Sequence, residues 1–259
     1  MPTLRLPNIP ILEVLETFQT QVGEATQFLY IAHAIDELAA RNQEVLQLLN
    51  DTPHFWLTVK VGLQNCAILT VGKIFDRAGD AHSIDKLLKY VYENRQTVFS
   101  RTALAQRKKQ MAPELGEALA DYMRGVHEFK QSDIQRVNRL LKKYRRIYFE
   151  QFRDIRTNLI AHTLVVDPAK IDAMYAKTNW RDFEKCVRFL NQLSNALWHL
   201  YYNGTLPRIR PMRHSTRVLL AMPLKQLRRG STSENIVRET RMCLDTLLVG
   251  RRVVRGQRR

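Results

Sequence analysis

Between Ser132 and His162 eight apolar residues, Ile134, Val137, Leu141, Tyr144, Tyr148, Phe152, Ile155 and Leu159, recur at spacings of three and four. That is the helical period, sustained over about 30 residues, too long for a strand and long enough to be the spine of a domain. The spacing predicts one helix from Ser132 to His162, opened by a capping box between Ser132 and Gln135. Turn-formers are scarce, with 10 Gly and 9 Pro in 259 residues. A β-sandwich or barrel, which needs a tight turn roughly every 8–12 residues, is therefore disfavoured. We expect an all-α fold, an up-down helical bundle with few connections.

The other segments follow the same logic. A first helical region runs from Ile11 to Leu49, with Gly23 as a possible break. Asp51-Thr52-Pro53 then supplies an N-cap and a first-turn proline. Phe55 to Phe75 is apolar on nearly every side, which predicts a central helix buried all round, ended by Asp76 and Gly79. Ser83 caps a short helix through Tyr92, residues 97–112 form a basic connection with some helix, and Pro113 to Phe129 is a further helix. Past Val166-Asp167-Pro168 comes a short helix through Met174; Asn179 then caps a last core helix, which Gly204 stops. Pro207 and Pro211 mark a change of composition. The chain divides into a bundle, residues 1–206, and an Arg-rich C-terminal extension, residues 207–259, with short helices near 215–229 and 233–249 and disorder from 250.

Charge follows that division. The formal net charge is +16, and residues 207–259 hold 14 Lys/Arg against Glu234, Glu239 and Asp245. Such a segment is either a solvated basic tail or one suited to a polyanionic partner, and as a partner nucleic acid fits better than a membrane because no amphipathic anchor or lipidation signal accompanies it. No run of about 18 uncharged apolar residues occurs, so no transmembrane helix is expected. The start, MPTLRLPNIP, is broken by prolines and does not form a secretory apolar core. Cys66, Cys186 and Cys243 are odd in number and far apart, as reduced thiols of a cytoplasmic protein would be. His33 with Glu37 and His127 with Glu128 fit no metal-binding spacing, and no Gly-rich phosphate loop or nucleophile elbow occurs, so neither metal nor cofactor is expected. The long helix carries Arg136, Arg139, Lys142, Lys143, Arg145 and Arg146 opposite its apolar stripe, either as a solvated face or as a surface for RNA. Lys142, Arg145, Arg146, Arg153, Arg251 and Arg252 are the candidate RNA contacts. Trp198, Tyr201 and Tyr202 could stack on bases or pack in the core.

The segment Arg153-Asp154-Ile155-Arg156-Thr157-Asn158-Leu159-Ile160-Ala161-His162 differs from its surroundings. At about 100° per residue Asn158 and His162 share a helix face and Arg156 flanks it, so the three can approach one pocket. A helix-end histidine held by the helix dipole, an Arg156–Asp154 surface pair and a capping asparagine would show the same spacing. RDIRTNLIAHT, late in a long amphipathic helix and followed by a Pro-containing loop and a further helix, resembles the Arg-x4–6-His motif of the HEPN superfamily (higher eukaryotes and prokaryotes nucleotide-binding). HFWLTVKVGLQNCAILTVGKIFDRAGDAHSIDKLL is similar to the abortive-infection-related branch of that superfamily. The likeness covers about residues 10–205. It departs in one place: Thr157 follows the motif arginine where HEPN nucleases often have Asn, Asp or His, and Asn158 comes one later.

The resemblance implies an all-α bundle, a homodimer with two Arg/His motifs meeting at the two-fold axis, and a metal-independent endoribonuclease acting as a toxin or defence effector. Arg156 would bind the scissile phosphate, His162 would act as base or acid, and Asn158 would be the polar helper. Independently of the resemblance, Asn65 and Asp76 are polar groups on the most apolar helix, placed either to satisfy buried donors or, for the carboxylate, to orient Arg156 or His162. An antitoxin or neutralising partner would accompany such a toxin. The alternative is a non-catalytic RNA-binding, nucleotide-binding or scaffolding member.

Overall fold

The computed structural model describes residues 10–76, 83–111, 113–161, 167–205, 209, 215–227 and 231–256. Among these the fold is all-α, with no strand. The helices are α1 (Ile11–Arg41), α2 (Gln43–Asp51), α3 (Pro53–Phe75), α4 (Ile84–Glu93), α5 (Arg101–Met111), α6 (Ala118–Arg124), α7 (Gln131–Gln151), α8 (Arg153–Ile155), α9 (Pro168–Ala176), α10 (Trp180–Asn203), α11 (Thr216–Ala221) and α12 (Thr232–Gly256). A π-helix, Arg156–Ala161, follows α8.

Helix α1 is the centre, packed along α3, α10 and α12. It buries Leu15, Phe18, Val22, Ala25 and Leu29 on its apolar stripe and passes Gly23 unbroken. The break comes at Asn42, whose extended backbone leaves the helix and whose side chain accepts the Glu44 N–H at 2.9 Å to open α2. An asparagine that caps forward in this way competes with the helix it follows.

Helix α3 is not buried all round. Ala67, Ile68, Val71, Ile74 and Phe75 in its second half are core residues, whereas Phe55, Leu57 and Val61 in its first half are 60%, 59% and 41% exposed. Continuous hydropathy cannot distinguish a helix covered on every side from one covered for only half its length. By length and composition α3 could also cross a membrane, the only such helix among the described residues. Its second half, however, is packed against α1 and the π-helix.

The predicted long helix is present in three pieces. It starts at Gln131, and the carboxylate of Asp133, rather than a Ser132–Gln135 pair, accepts the Lys130 N–H at 2.9 Å and bonds the His127 imidazole at 2.8 Å. At its far end Phe152 leaves helical geometry (φ −124°, ψ −19°). Phe152 is fully buried against Phe183 and Trp180, with ring centroids 4.6 and 5.5 Å away. Continuing the chain around that anchor requires a new helical start.

The C-terminal segment shares the bundle's core. Leu219, Leu220, Leu227, Ile236 and Val237 join the main cluster, and Leu244 and Leu248 form a smaller one with Ile35 and Val45. The buried Glu184 carboxylate on α10 accepts the Thr216 N–H at 2.8 Å and its hydroxyl at 3.3 Å, fastening the start of α11. Helix α12 runs on to Gly256, past the point at residue 250 where the sequence predicts disorder. A buried line at Ile236, Val237, Leu244 and Leu248 anchors it.

Gly204 ends α10 in the left-handed region (φ 56°), where a Cβ would lie 2.5 Å from Leu104 and 2.6 Å from Val126. Gly204→Ala therefore combines left-handed strain of about 1–2 kcal/mol with a steric clash. We expect the thermal midpoint to fall by roughly 2–4 °C per kcal/mol lost, read by circular dichroism. Gly23→Ala, at a half-buried helical position whose Cβ meets nothing within 4 Å, should leave the midpoint in place or raise it.

Candidate functional site

Arg156 begins the π-helix, which packs against α3. The i→i+5 bonding of a π-helix widens the backbone turn, and such turns are frequent at functional sites. The angles calculated at 100° per residue consequently do not hold for residues 156–161. The Arg156 side chain runs over Gly72 of α3: a Cβ there would sit 2.5 Å from its Cδ and 2.7 Å from its Nε, and would also collide with the Tyr148 hydroxyl. Beyond Gly72, Arg156 Nη2 donates to Asp76 Oδ2 at 3.3 Å. Asp76 is the residue that closes α3, so a helix-ending carboxylate fixes the arginine.

Below the pair lies Tyr148, fully buried, donating its hydroxyl to the Ile68 carbonyl at 3.2 Å. Burial pushes its phenol well above the usual range, against the opposing pull of the Arg156 cation, so it stays a neutral donor. The Arg156 side chain is about a quarter exposed. Asp76 occupies one of its five N–H donors in this contact, and a planar fork of this kind is suited to a phosphate. Asn158 is half-buried on the same π-turn. His162 lies outside the described residues.

The six candidate RNA contacts do not form one surface. Arg145 is not on the solvated side of α7; its side chain is 6% exposed and donates to Asp85 at 2.7 Å. Lys142 is exposed, and Arg146 is exposed and paired with Glu150 one turn on. Arg153 is exposed and its guanidinium lies 5.3 Å from the Phe149 ring. In α12, Arg251 pairs with Asp51 at 2.6 Å and Arg252 with Glu44, both acids of α2. Asp51 and Asp76 flank α3 at opposite ends, and a helix of 23 residues is about 34 Å long. Within one chain the α12 arginines are thus a helix length away from Arg156.

The remaining candidates have structural surroundings. Trp198 stacks on Tyr202 at 5.1 Å, and Tyr201 carries the Arg107 guanidinium at 4.3 Å. Burial lowers the His33 imidazole, keeping it neutral near pH 7 beside Trp180. No group of three or more metal-type side chains gathers among the described residues. Gly72 was missed at the sequence level, although a glycine inside an apolar helix is itself a sign of close approach.

With this geometry in place, the comparison with known families is specific. The sequence model of the HEPN_AbiU2 family, described as AbiU2, matches residues 15–217, more than three quarters of the chain. The chain belongs to the HEPN AbiU2 family. No curated protein and no solved structure matches it. The family assignment places it in the abortive-infection-related branch of the HEPN superfamily. The matched span contains Gly72, Asp76, Tyr148 and Arg156 and stops before α12, so this HEPN protein carries Arg251 and Arg252 outside the family segment.

The crowding at Gly72 is testable. Gly72→Ala overpacks the Arg156 channel and should cost about 1–3 kcal/mol in urea unfolding. Arg156→Ala empties the channel, so the double variant should be more stable than the sum of the two losses predicts. Additive losses would mean that the two residues do not share the channel.

Proposed function

We propose that this HEPN protein is a metal-independent endoribonuclease of the cytoplasm, serving as a toxin or defence effector. The observation that carries the reading is Arg156: an arginine on a π-turn, pinned from behind by Asp76 and open to solvent over a quarter of its side chain, inside the AbiU2 match. The RNA itself supplies the nucleophile. Its 2′-oxygen attacks the adjacent phosphorus, the bond from phosphorus to the 5′-oxygen breaks, and the products are a 2′,3′-cyclic phosphate and a 5′-hydroxyl. One His162 imidazole accepts the 2′-hydroxyl proton and a second, from a partner copy, protonates the leaving oxygen. Arg156 holds the phosphate oxygens as charge accumulates on them, and Asn158 offers a neutral hydrogen bond at the same turn.

The bare half of α3 supports a homodimer. At 100° per residue Leu57 and Val61 lie in line with Ile68 and Gly72, the face that Tyr148 and Arg156 cover further along. A second copy seated on this apolar face would come up beside Arg156. An antitoxin that masks the same face is the matching neutralising partner.

The test is cleavage of single-stranded RNA in EDTA by the wild type, His162→Ala, Arg156→Ala and Arg156→Lys. We expect cyclic-phosphate ends from the wild type, a loss of about 10²–10⁴-fold in rate for His162→Ala, and little rescue by lysine, which cannot reproduce the fork. Wild-type rates in both alanine variants would refute the site. RNA binding without cleavage by the wild type would replace the nuclease with a scaffolding HEPN protein.

A further inference from the structure

A groove on α7 lies apart from the Arg156 site. It is an open space of about 950 Å³ between α4 and α7, lined by Asp85, Gln135, Asn138, Arg139, Leu141, Lys142 and Arg145. Gln135, Asn138, Arg139, Lys142 and Arg145 follow one another at spacings of one and three, so one stripe of α7 provides three cations and two amides. Arg139 and Lys142 are exposed and make no ion pair among the described residues.

Arg145 separates this stripe from an ordinary solvated face. Its side chain is more than nine-tenths buried, yet Nε, itself buried, has no hydrogen-bond partner among the described residues. Nη2 donates to Asp85, the only acid of the lining. A buried guanidinium with an unsatisfied donor costs free energy until an acceptor reaches it, and an anion with several oxygens satisfies it better than a half-exposed carboxylate alone. The Arg145 guanidinium also lies 6.0 Å from the ring of Phe75, the neighbour of Asp76. Phe75 in turn packs on Tyr148, the residue beneath Arg156. Arg145 and Arg156 are eleven residues apart in sequence, on either side of the break at Phe152.

We propose that the α4–α7 groove is a second phosphate-binding subsite, taking the backbone of single-stranded RNA on the approach to Arg156. Arg139, Lys142 and Arg145 hold phosphate oxygens, Gln135 and Asn138 bond sugar or base edges, and Asp85 keeps Arg145 in place until the strand arrives. The proposal rests on RNA being the ligand, as the nuclease reading holds, and does not require that the RNA be cut.

The experiment is fluorescence anisotropy of a labelled 12-nucleotide RNA on the full chain across a salt series. Each single-strand phosphate contact contributes about 0.7 to the slope of log K against log salt. Arg139→Glu/Lys142→Glu, folded by circular dichroism, should lose about 1.4 of slope and at least about tenfold in affinity at low salt. Asp85→Asn keeps an acceptor for Arg145 and removes the negative charge, so it should tighten binding. An unchanged slope in the double variant, or no tightening in Asp85→Asn, overturns the subsite. Saturable binding of AMP that the double variant abolishes would make the groove a mononucleotide site and would also overturn it. A wild type that binds RNA but does not cut it refutes the nuclease while leaving the slope comparison decisive for the groove.

Discussion

The contact on which the junction of α3 and the π-helix depends is Arg156 laid across Gly72 and held by Asp76. Each member requires the others. The arginine can cross α3 only because residue 72 has no side chain, and its charge can sit against an apolar helix only because the next turn ends in a carboxylate. Removing one partner of a partly buried pair leaves the other poorly solvated, so the pair fixes where the π-helix meets α3 as well as where the guanidinium points. Tyr148 braces the arrangement from below and, with its phenol kept neutral, adds a donor without adding a charge.

A second pair repeats the device along the same helix line. Asp85 opens α4 as Asp76 closes α3, and the two carboxylates hold arginines eleven positions apart. Phe75 lies between them, touching the Tyr148 ring at 5.7 Å and facing Arg145. A phosphate arriving at either arginine competes with a carboxylate that is only partly buried. Such a competition is more even than displacement of a fully desolvated pair. The acids therefore fix the directions of the two forks, and under the proposed function they would yield to a more highly charged anion.

Much of the fold was legible because its signals are local. Asn179 caps α10 through the Arg181 and Asp182 N–H groups, Gly204 terminates it, and the apolar stripe from Ile134 to Ile155 lies on the buried side. What could not be read depends on contacts distant in sequence. Phe152 fits the helical period perfectly well and still breaks the helix, because Trp180 and Phe183 hold its ring. Nothing in a 3.6-residue pattern separates a π-turn from an α-turn over six residues, so the register past Arg156 was lost. Arg145 sits among six basic residues in the sequence and is the buried one, a distinction created by Asp85 sixty positions earlier. Asp76 was recognised as a polar group on an apolar helix. Of the two partners the sequence offered it, Arg156 and His162, the packing of α3 on the π-helix brings Arg156 to it.

Net charge is the property whose meaning changes most. The extension past residue 207 contributes most of the excess positive charge, yet Arg251 and Arg252 are neutralised by α2, a helix length from Arg156. Their pairs, together with the buried Leu244 and Leu248, give α12 a docking role on α1 and α2 that needs no polyanion. The cations whose directions carboxylates fix, Arg145 and Arg156, come instead from the bundle, where positive charge is less dense. A net positive field attracts any polyanion from about a Debye length away, about 8–10 Å at ordinary salt. At shorter range direction matters as well as charge, and the directions of Arg145 and Arg156 are set by Asp85 and Asp76.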